Sequence, residues 1–315
     1  MTSKILAIDI GGTHTKLALV DQNGTVDDVV SIQTSGENSG RSFLQLIEES
    51  ALEKIAKSGE IIKGCGIGVA GFIDPGHSRM IFNPNIPWLE DIELKAHFSK
   101  KLGIPVEIEI DSNAAALAEA VYGGGKNSQR LLVLAVGTGL GGGMIVDGKI
   151  LRIANECLGD VGHVLVAPGG FACASGCRGC AEAMVSVSAL ERYGCEHFSK
   201  DSKSVFYEMT NKGKIIPPAE IIKAAKEGDR AAERAIQKLG MYLGIALASL
   251  APIFAPDQIS IAGGISEAGS ILMDATKDSF RNHVGPPYAE GVTIQKATLG
   301  WQSVLVGAAE AFRRR

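Results

Sequence analysis

Two stretches of this 315-residue chain share one pattern. "LAIDIGGTHTKLALVDQNG", from Leu6, reads as strand, Gly/Thr turn, strand and acidic turn; "LVLAVGTGLGGGMIVDGK", from Leu132, repeats that order about 125 residues later. A supersecondary unit repeated at this distance predicts an α/β fold of two related domains facing a central cleft, each lending it a glycine-rich hairpin. The 39 glycines point to the same class, because most fall at the ends of short apolar runs, where α/β chains turn from strand to helix. With 45% apolar residues the chain can bury a large core, and its length suits two domains.

Between the hairpins, "SFLQLIEESALEKIAKSG" spaces Phe43, Leu46, Ile47, Ala51 and Ile55 along one helical face. "CGIGVAGFID" and "VEIEIDSN" are predicted strands that each run into an acid, Asp74 and Asp111, and "AHFSKKLG" ends a helix at Gly103. Farther on, "DRAAERAIQKLGMYLGIALASLA" predicts a long buried helix, "QISIAGG" a strand and turn, and "ISEAGSILMDATKDSF" a helix. "GVTIQKA" then gives a strand and "SVLVGAAEAFRRR" a closing helix. No low-complexity linker interrupts the chain, so the boundary is expected within packed structure. The expected division is residues 1–117, then 118–300, with the helix at about 301–315 packing back on the first domain.

A formal charge of -4 offers no basic surface to nucleic acid or to an anionic membrane, which leaves small molecules as the expected partners. The start, "MTSKILAIDIGG", lacks the cationic end and unbroken apolar core of a signal peptide, since Asp9 interrupts it. "YLGIALASLAPIFA" is shorter than the ~20 apolar residues that cross a bilayer. The expectation is a cytoplasmic protein whose cysteines stay reduced and free to bind metal.

The first hairpin carries "DIGGTHTK". A strand running into Gly11, Gly12 and Thr13 exposes backbone N–H groups where no side chain blocks a phosphate, and the hydroxyls of Thr13 and Thr15 can add donors. Asp9, at the strand end, can hold magnesium through water. Alone, such a Gly-Gly turn is equally what a purely structural tight turn needs, and it matches neither the P-loop nor the dinucleotide fingerprint. The second hairpin, with Gly137, Thr138 and Gly139, favours function, because two facing anion-binding turns suit the β- and γ-phosphates of ATP. Gly263 and Gly264 in "IAGGIS" offer a third turn for the nucleoside end. In "EIDSNAAALAEAVYGGG", Val106, Ile108 and Ile110 alternate with Glu107 and Glu109 as a strand, and Asp111-Ser112-Asn113 reads as the cap of a helix beginning near Ala114. Asp111 is then either a cap or a carboxylate at a strand's carboxyl end, placed to take a proton from a substrate hydroxyl attacking a phosphoryl group.

Taken together, these motifs resemble the ROK family of sugar kinases, in the actin-like ATPase (ribonuclease H-like) and hexokinase superfamily, over essentially the whole chain. "AIDIGGTHTKLALVD", including Lys16, looks like that family's first phosphate motif, "VGTGLGGGMIVDGK" its second and "IAGGISEAG" its adenosine-side motif. "NPNIPW" and "DSNAAALAE" resemble its sugar-cleft segments, and "GDVGH" followed by "CASGCRGCAE" its metal signature, usually G-E-x-G-H then C-x-C-G-x-x-G-C-x-E. The resemblance implies two actin-like domains, Asp111 as general base, and a hexose held by Gly71, Asn85, Asp111, Asp160, His163 and Glu182. It implies zinc on His163 and three thiolates within an insertion at 157–182, and a homodimer or homotetramer. With no helix-turn-helix ahead of the first strand, the DNA-binding branch of the family is not expected.

Cys173, Cys177 and Cys180 beside Gly176 and Gly179 suit a metal clamp better than a thioredoxin-like centre, for which the βαβ context is missing. With His163 they make a closed four-ligand set, the composition of a structural zinc. Ser175 stands where the family has its second cysteine, and Cys177 where the family is variable. Cys65, Cys157 and Cys195 have no such spacing. Asp160 replaces a Glu, one methylene shorter, and Ile110 replaces an Asn that contacts a sugar hydroxyl. On these two departures a high KM for glucose is expected. The resulting expectation is an ATP- and magnesium-dependent kinase acting on the primary hydroxyl of a hexose, with glucose first. N-acetylmannosamine or N-acetylglucosamine is the alternative within the class, and a non-catalytic sugar sensor the alternative outside it.

Overall fold

The computed structural model describes residues 3–34, 41–83, 86–153 and 160–315. The chain divides into two units by its internal contacts: Met1–Asn127 with Gly143–Gly159 and Thr298–Arg315, and Ser128–Gly142 with Asp160–Ala297. This differs from a single cut near 117, because Gly143–Gly159 groups with the first unit.

The first unit opens with β1 (Ser3–Ile10), β2 (His14–Val20) and β3 (Val26–Gln33), an antiparallel meander, followed by α1 (Arg41–Ser58). Then come β4 (Ile61–Val69), the short pair β5 (Phe72–Ile73) and β6 (Met80–Phe82), α2 (Leu94–Leu102), β7 (Val106–Ile110) and α3 (Asp111–Val121). The sheet order is β3-β2-β1-β4-β7, with β4 parallel to both β1 and β7. The period-2 pattern of β1 sorts its side chains: Leu6, Ile8 and Ile10 join the core under Phe43, Ile47 and Ala51 of α1 and Phe98 of α2. Leu44 is buried with them, while Leu46 is only half-buried. Gly103 closes α2 in the left-handed region at φ 67°, its N–H donating to Ser99 O.

The opposite face of that sheet receives the closing helix α11 (Ser303–Arg313), with Leu305 and Ala309 against Ile5, Ala7, Ala18 and Val20. The approach is possible because β4 alternates Gly64, Gly66 and Gly68 on that face with Cys65, Ile67 and Val69 in the core. A Cβ on Gly66 would sit 2.0 Å from Ala308 O, and one on Gly307 would sit 1.8 Å from Ala114 O of α3. Glycine therefore sets the separation on both sides of α11.

The second sheet runs β10-β9-β8-β11-β12, the same order of a meander and two parallel additions. Its strands are β8 (Arg130–Val136), β9 (Leu140–Val146), β10 (Lys149–Ile150), β11 (Gln258–Ala262) and β12 (Thr293–Lys296). The helices of this half are α4 (Ala181–Met184), α5 (Val187–Phe198), α6 (Tyr207–Asn211), α7 (Pro218–Lys226), α8 (Arg230–Phe254), α9 (Ser270–His283) and α10 (Pro286–Ala289). Asp229 caps α8 by accepting from the N–H groups of Ala231 and Ala232. Among the described residues α8 alone is long and apolar enough to cross a membrane, but 56% of that window is buried. Gly240 and Gly244 let α9 come close, a Cβ on Gly244 falling 2.5 Å from Thr276 O, so α8 is a core helix. The helix expected over "ISEAGSILMDATKDSF" is two pieces, a 3-10 segment Gly264–Ala268 and then α9, because Gly269 between them adopts φ 63°.

Candidate active site

In the first unit, β1 ends at a tight turn in which Gly11 N–H donates to His14 O at 3.2 Å. Side chains are absent at Gly11 and Gly12, and Thr13 is exposed, so the turn presents backbone outward. Lys16 lies opposite Asp9 in the β1–β2 register, its Nζ 4.0 Å from Asp9 Oδ2. The Asp9 side chain is only 14% exposed. Burial pushes its carboxyl up to about 7, against the opposing pull of Lys16, and the negative charge of Asp111 adds to the rise.

Asp111 stands at the carboxyl end of β7, on a strand parallel to β4 and in the same sheet as β1, where α/β sheets hold their ligands. It is the first residue of α3, three positions earlier than expected. Ile110 occupies the cap position with extended backbone, and Asp111 Oδ1 accepts from the N–H of Ser112 at 2.7 Å. Burial raises its carboxyl above the usual range as well.

Two expectations in this unit are corrected. Thr15 is fully buried and its hydroxyl pairs with Thr34 Oγ1 at 2.9 Å, so it is not a donor at the turn. It shares a face of β2 with Leu17 and Leu19, both in the core. Ile110 is 4% exposed and belongs to the core with Ile108 and Val106, so it faces no sugar hydroxyl, and the argument for a high glucose KM built on it fails. Gly71 adopts φ 104°, and a Cβ there would meet Phe82 O at 2.5 Å, which makes it a turn that only glycine fits. Asn85 and Cys157 lie outside the described residues. Asp74 accepts N–H bonds from Gly76, Ser78 and Arg79 and organises its own turn.

In the second unit the hairpin Gly137–Gly139 is closed by Gly137 N–H to Gly139 O at 2.9 Å, and Thr138 is exposed at its tip. Glu182, in α4, fastens its base: Oε2 accepts from Leu140 N–H at 3.1 Å. Gly263, at φ 91°, packs against the end of β8, where a Cβ would lie 2.2 Å from Val136 O. The third glycine turn thus adjoins the strand that leads into the hairpin.

His163 closes a 3-10 turn, Val161–His163, that follows Asp160. Its Nδ1 lies 3.8 Å from Cys173 Sγ and 3.5 Å from Cys177 Sγ, while Nε2 is 3.1 Å from Asp160 Oδ2. With Cys180 Sγ, the four ligand atoms lie within 4.8 Å of one another. A tetrahedron with Zn–S near 2.3 Å and Zn–N near 2.05 Å has S···N edges of roughly 3.6 Å, so the donor set fits one zinc ion. Cys177 reaches the cluster through a tight loop in which Cys173 N–H donates to Cys177 O at 2.8 Å and Gly176 adopts φ 92°. Ser175 is exposed in that loop. Burial raises the Cys173 thiol and pushes that of Cys180 up to about 12, so a cation is what would keep them as thiolates. Glu182 ties the cluster to the hairpin, its Oε1 accepting from Cys173 Sγ at 3.3 Å.

The sequence profile of the ROK family matches residues 5–315. The chain belongs to the ROK family. Its relatives include a glucokinase of Thermotoga maritima, 31% identical over 312 residues that cover 99% of this chain and 98% of the relative. A Streptomyces coelicolor glucokinase is 32% identical over 314 residues, covering 98% and 97%. Among solved structures, a ROK family glucokinase from Streptomyces griseus in complex with glucose and AMPPNP superimposes with a TM-score of 0.87 at 31% identity, covering 99% of this chain and 100% of that one.

Three residues of this ROK chain went unmarked in the sequence. Glu119, in the family's "DSNAAALAE" segment, is fully buried and accepts from the N–H groups of Thr298, Leu299 and Gly124. An acid set among the alanines of a helix is the available signal, since a buried carboxylate must find donors. Glu109 pairs with Arg152, whose Nη1 lies 3.1 Å from Oε1. Trp301 sets its ring beside Lys16, with Nζ 5.6 Å from the ring centre.

Proposed function

We propose that this chain is an ATP-dependent kinase that transfers the γ-phosphoryl group to the primary hydroxyl of glucose. The observation that carries the reading is the match, above 30% identity and along nearly the full length, to glucokinases. In this reading Gly11, Gly12, Thr13 and Lys16 hold ATP phosphates from the first unit, and Gly137, Thr138 and Gly139 from the second. Gly263 and Gly264 serve the adenosine end. Asp9, a buried carboxylate at a strand end, is the residue suited to hold magnesium through water, and the ion when bound neutralises phosphate charge.

Asp111 is the general base. Its carboxylate accepts the hydroxyl proton as the sugar oxygen bonds to the γ-phosphorus; the bond from that phosphorus to the bridging oxygen breaks, and ADP leaves with the electron pair. Asp160, His163 and Glu182, with Asn85 and Gly71, orient the sugar. His163, Cys173, Cys177 and Cys180 hold a structural zinc that fixes the loop carrying His163 and the start of α4. In this reading the protein works in the cytoplasm, a compartment that suits free thiols at Cys65, Cys173, Cys177, Cys180 and Cys195. It acts as a homodimer or homotetramer, with no nucleic-acid or membrane partner. Asp111→Asn keeps the size of the side chain and removes the base. Its kcat is expected to fall on the order of 10²- to 10⁴-fold, with melting temperature and the KM for ATP preserved. Turnover near the wild-type rate would reduce Asp111 to a residue of the helix start.

A further inference from the structure

The phosphate turn of the first unit has a neighbour that no part of the mechanism uses. Trp301 lies on the 3-10 turn Gly300–Gln302 just ahead of α11 and is 53% exposed, an unusual place for so large an aromatic side chain. Its ring faces Lys16, whose Nζ lies 5.6 Å from the ring centre and 4.0 Å from Asp9 Oδ2. The turn is fixed from below: Glu119, near the end of the helix that Asp111 begins, accepts from Thr298 N–H at 2.8 Å and Leu299 N–H at 2.7 Å. One rigid frame, α3, thus runs from the proposed base to the anchor of the tryptophan.

We infer that Trp301 is a positioning residue for Lys16: the ring face holds the ammonium next to Asp9 and the Gly11–Thr13 turn, so that it is already in place when nucleotide phosphates arrive. A lysine side chain left to itself spreads over many rotamers, and confining it beforehand removes that loss from the binding step. Ammonium over an aromatic face is the interaction that confines without neutralising, so the charge stays available to phosphate. The inference rests on the reading of Lys16 as a phosphate ligand.

The test is steady-state kinetics with MgATP and glucose on Trp301→Ala, Trp301→Phe, Lys16→Ala and the double variant Lys16→Ala/Trp301→Ala. Trp301→Ala is expected to raise the KM for ATP about two- to five-fold, with kcat, the KM for glucose and the melting temperature unchanged, as an exposed residue allows. Trp301→Phe, which keeps a ring face, is expected to hold the KM for ATP near the wild-type value, and the double variant to match Lys16→Ala alone. An unchanged or lower KM for ATP in Trp301→Ala, or a tryptophan effect that persists without Lys16, overturns the inference. If Lys16→Ala itself leaves the KM for ATP unchanged, the phosphate reading of Lys16 is what fails. Should Trp301→Ala melt early, Trp301→Phe and the double variant against Lys16→Ala still decide, since a purely structural tryptophan would act equally in both backgrounds.

Discussion

Asp9 is placed where it opposes stability. Its folded pKa of about 7 lies above the ordinary 3.8, mainly through burial, so between those values the folded chain binds more protons than the unfolded one. Stability therefore falls as pH rises through that window, and above it the full penalty, on the order of 4 kcal/mol, remains. Asp9→Asn removes the charge; in urea melts without nucleotide it is expected to be clearly more stable than wild type at pH 8, with the gap narrowing as pH falls and closing only at about pH 4 and below, while losing activity. A variant no more stable at pH 8 would contradict this. Asp111 is raised by burial too, so if it is the base, as proposed, kcat is expected to climb with pH along an acid limb lying above the usual carboxylate range, as its carboxyl sheds the proton. At this scale the acids at strand ends were legible from the sequence. The alternation that makes β2 and β7 strands also assigns Thr15 and Ile110 to core faces, since Leu17 and Leu19 share the one and Val106 and Ile108 the other. The exposed Gly-Gly turn pointed Thr15 toward the ligand, and the family resemblance pointed position 110 there.

Among the elements, α11 and the cysteine loop carry the most specific consequences. The sequence predicts α11 as a helix, but its seat on Gly64, Gly66 and Gly68 depends on which face of β4 lacks side chains, a matter of three-dimensional packing. Gly66→Ala puts a methyl carbon 2.0 Å from a backbone oxygen of α11. Because backbone cannot yield as a side-chain tip can, a loss of about 1–3 kcal/mol in chemical denaturation is expected, and a neutral result would mean α11 can shift outward at little cost. For the loop, purified protein is expected to hold about one zinc per chain. Cys177→Ser is expected to lower zinc content and melting temperature together, because ligand set and local fold are coupled. Full zinc retention in that variant would remove Cys177 from the ligand set. Cysteine count and glycine spacing made this cluster legible; the route by which Cys177 substitutes for position 175 follows from the turn at Gly176, which spacing does not fix.

The molecule as a whole repeats one design. Both sheets place a three-strand meander beside two parallel strands, and the repeat was readable because the two glycine hairpins kept their strand-turn-strand order. The grouping of Gly143–Gly159 with the first unit was not readable, since β9 runs on without a break in its apolar pattern where the grouping changes. The kinase reading joins residues from both units, so only the intact, zinc-replete chain can test it. The most direct measurement is ADP release from ATP in the presence of magnesium and, in turn, glucose, N-acetylmannosamine, N-acetylglucosamine and no sugar. The account predicts that glucose gives the highest kcat/KM, with stoichiometric glucose 6-phosphate and little ADP without sugar. Release of ADP with none of these sugars, or a clear preference for an N-acetylated one, would contradict it.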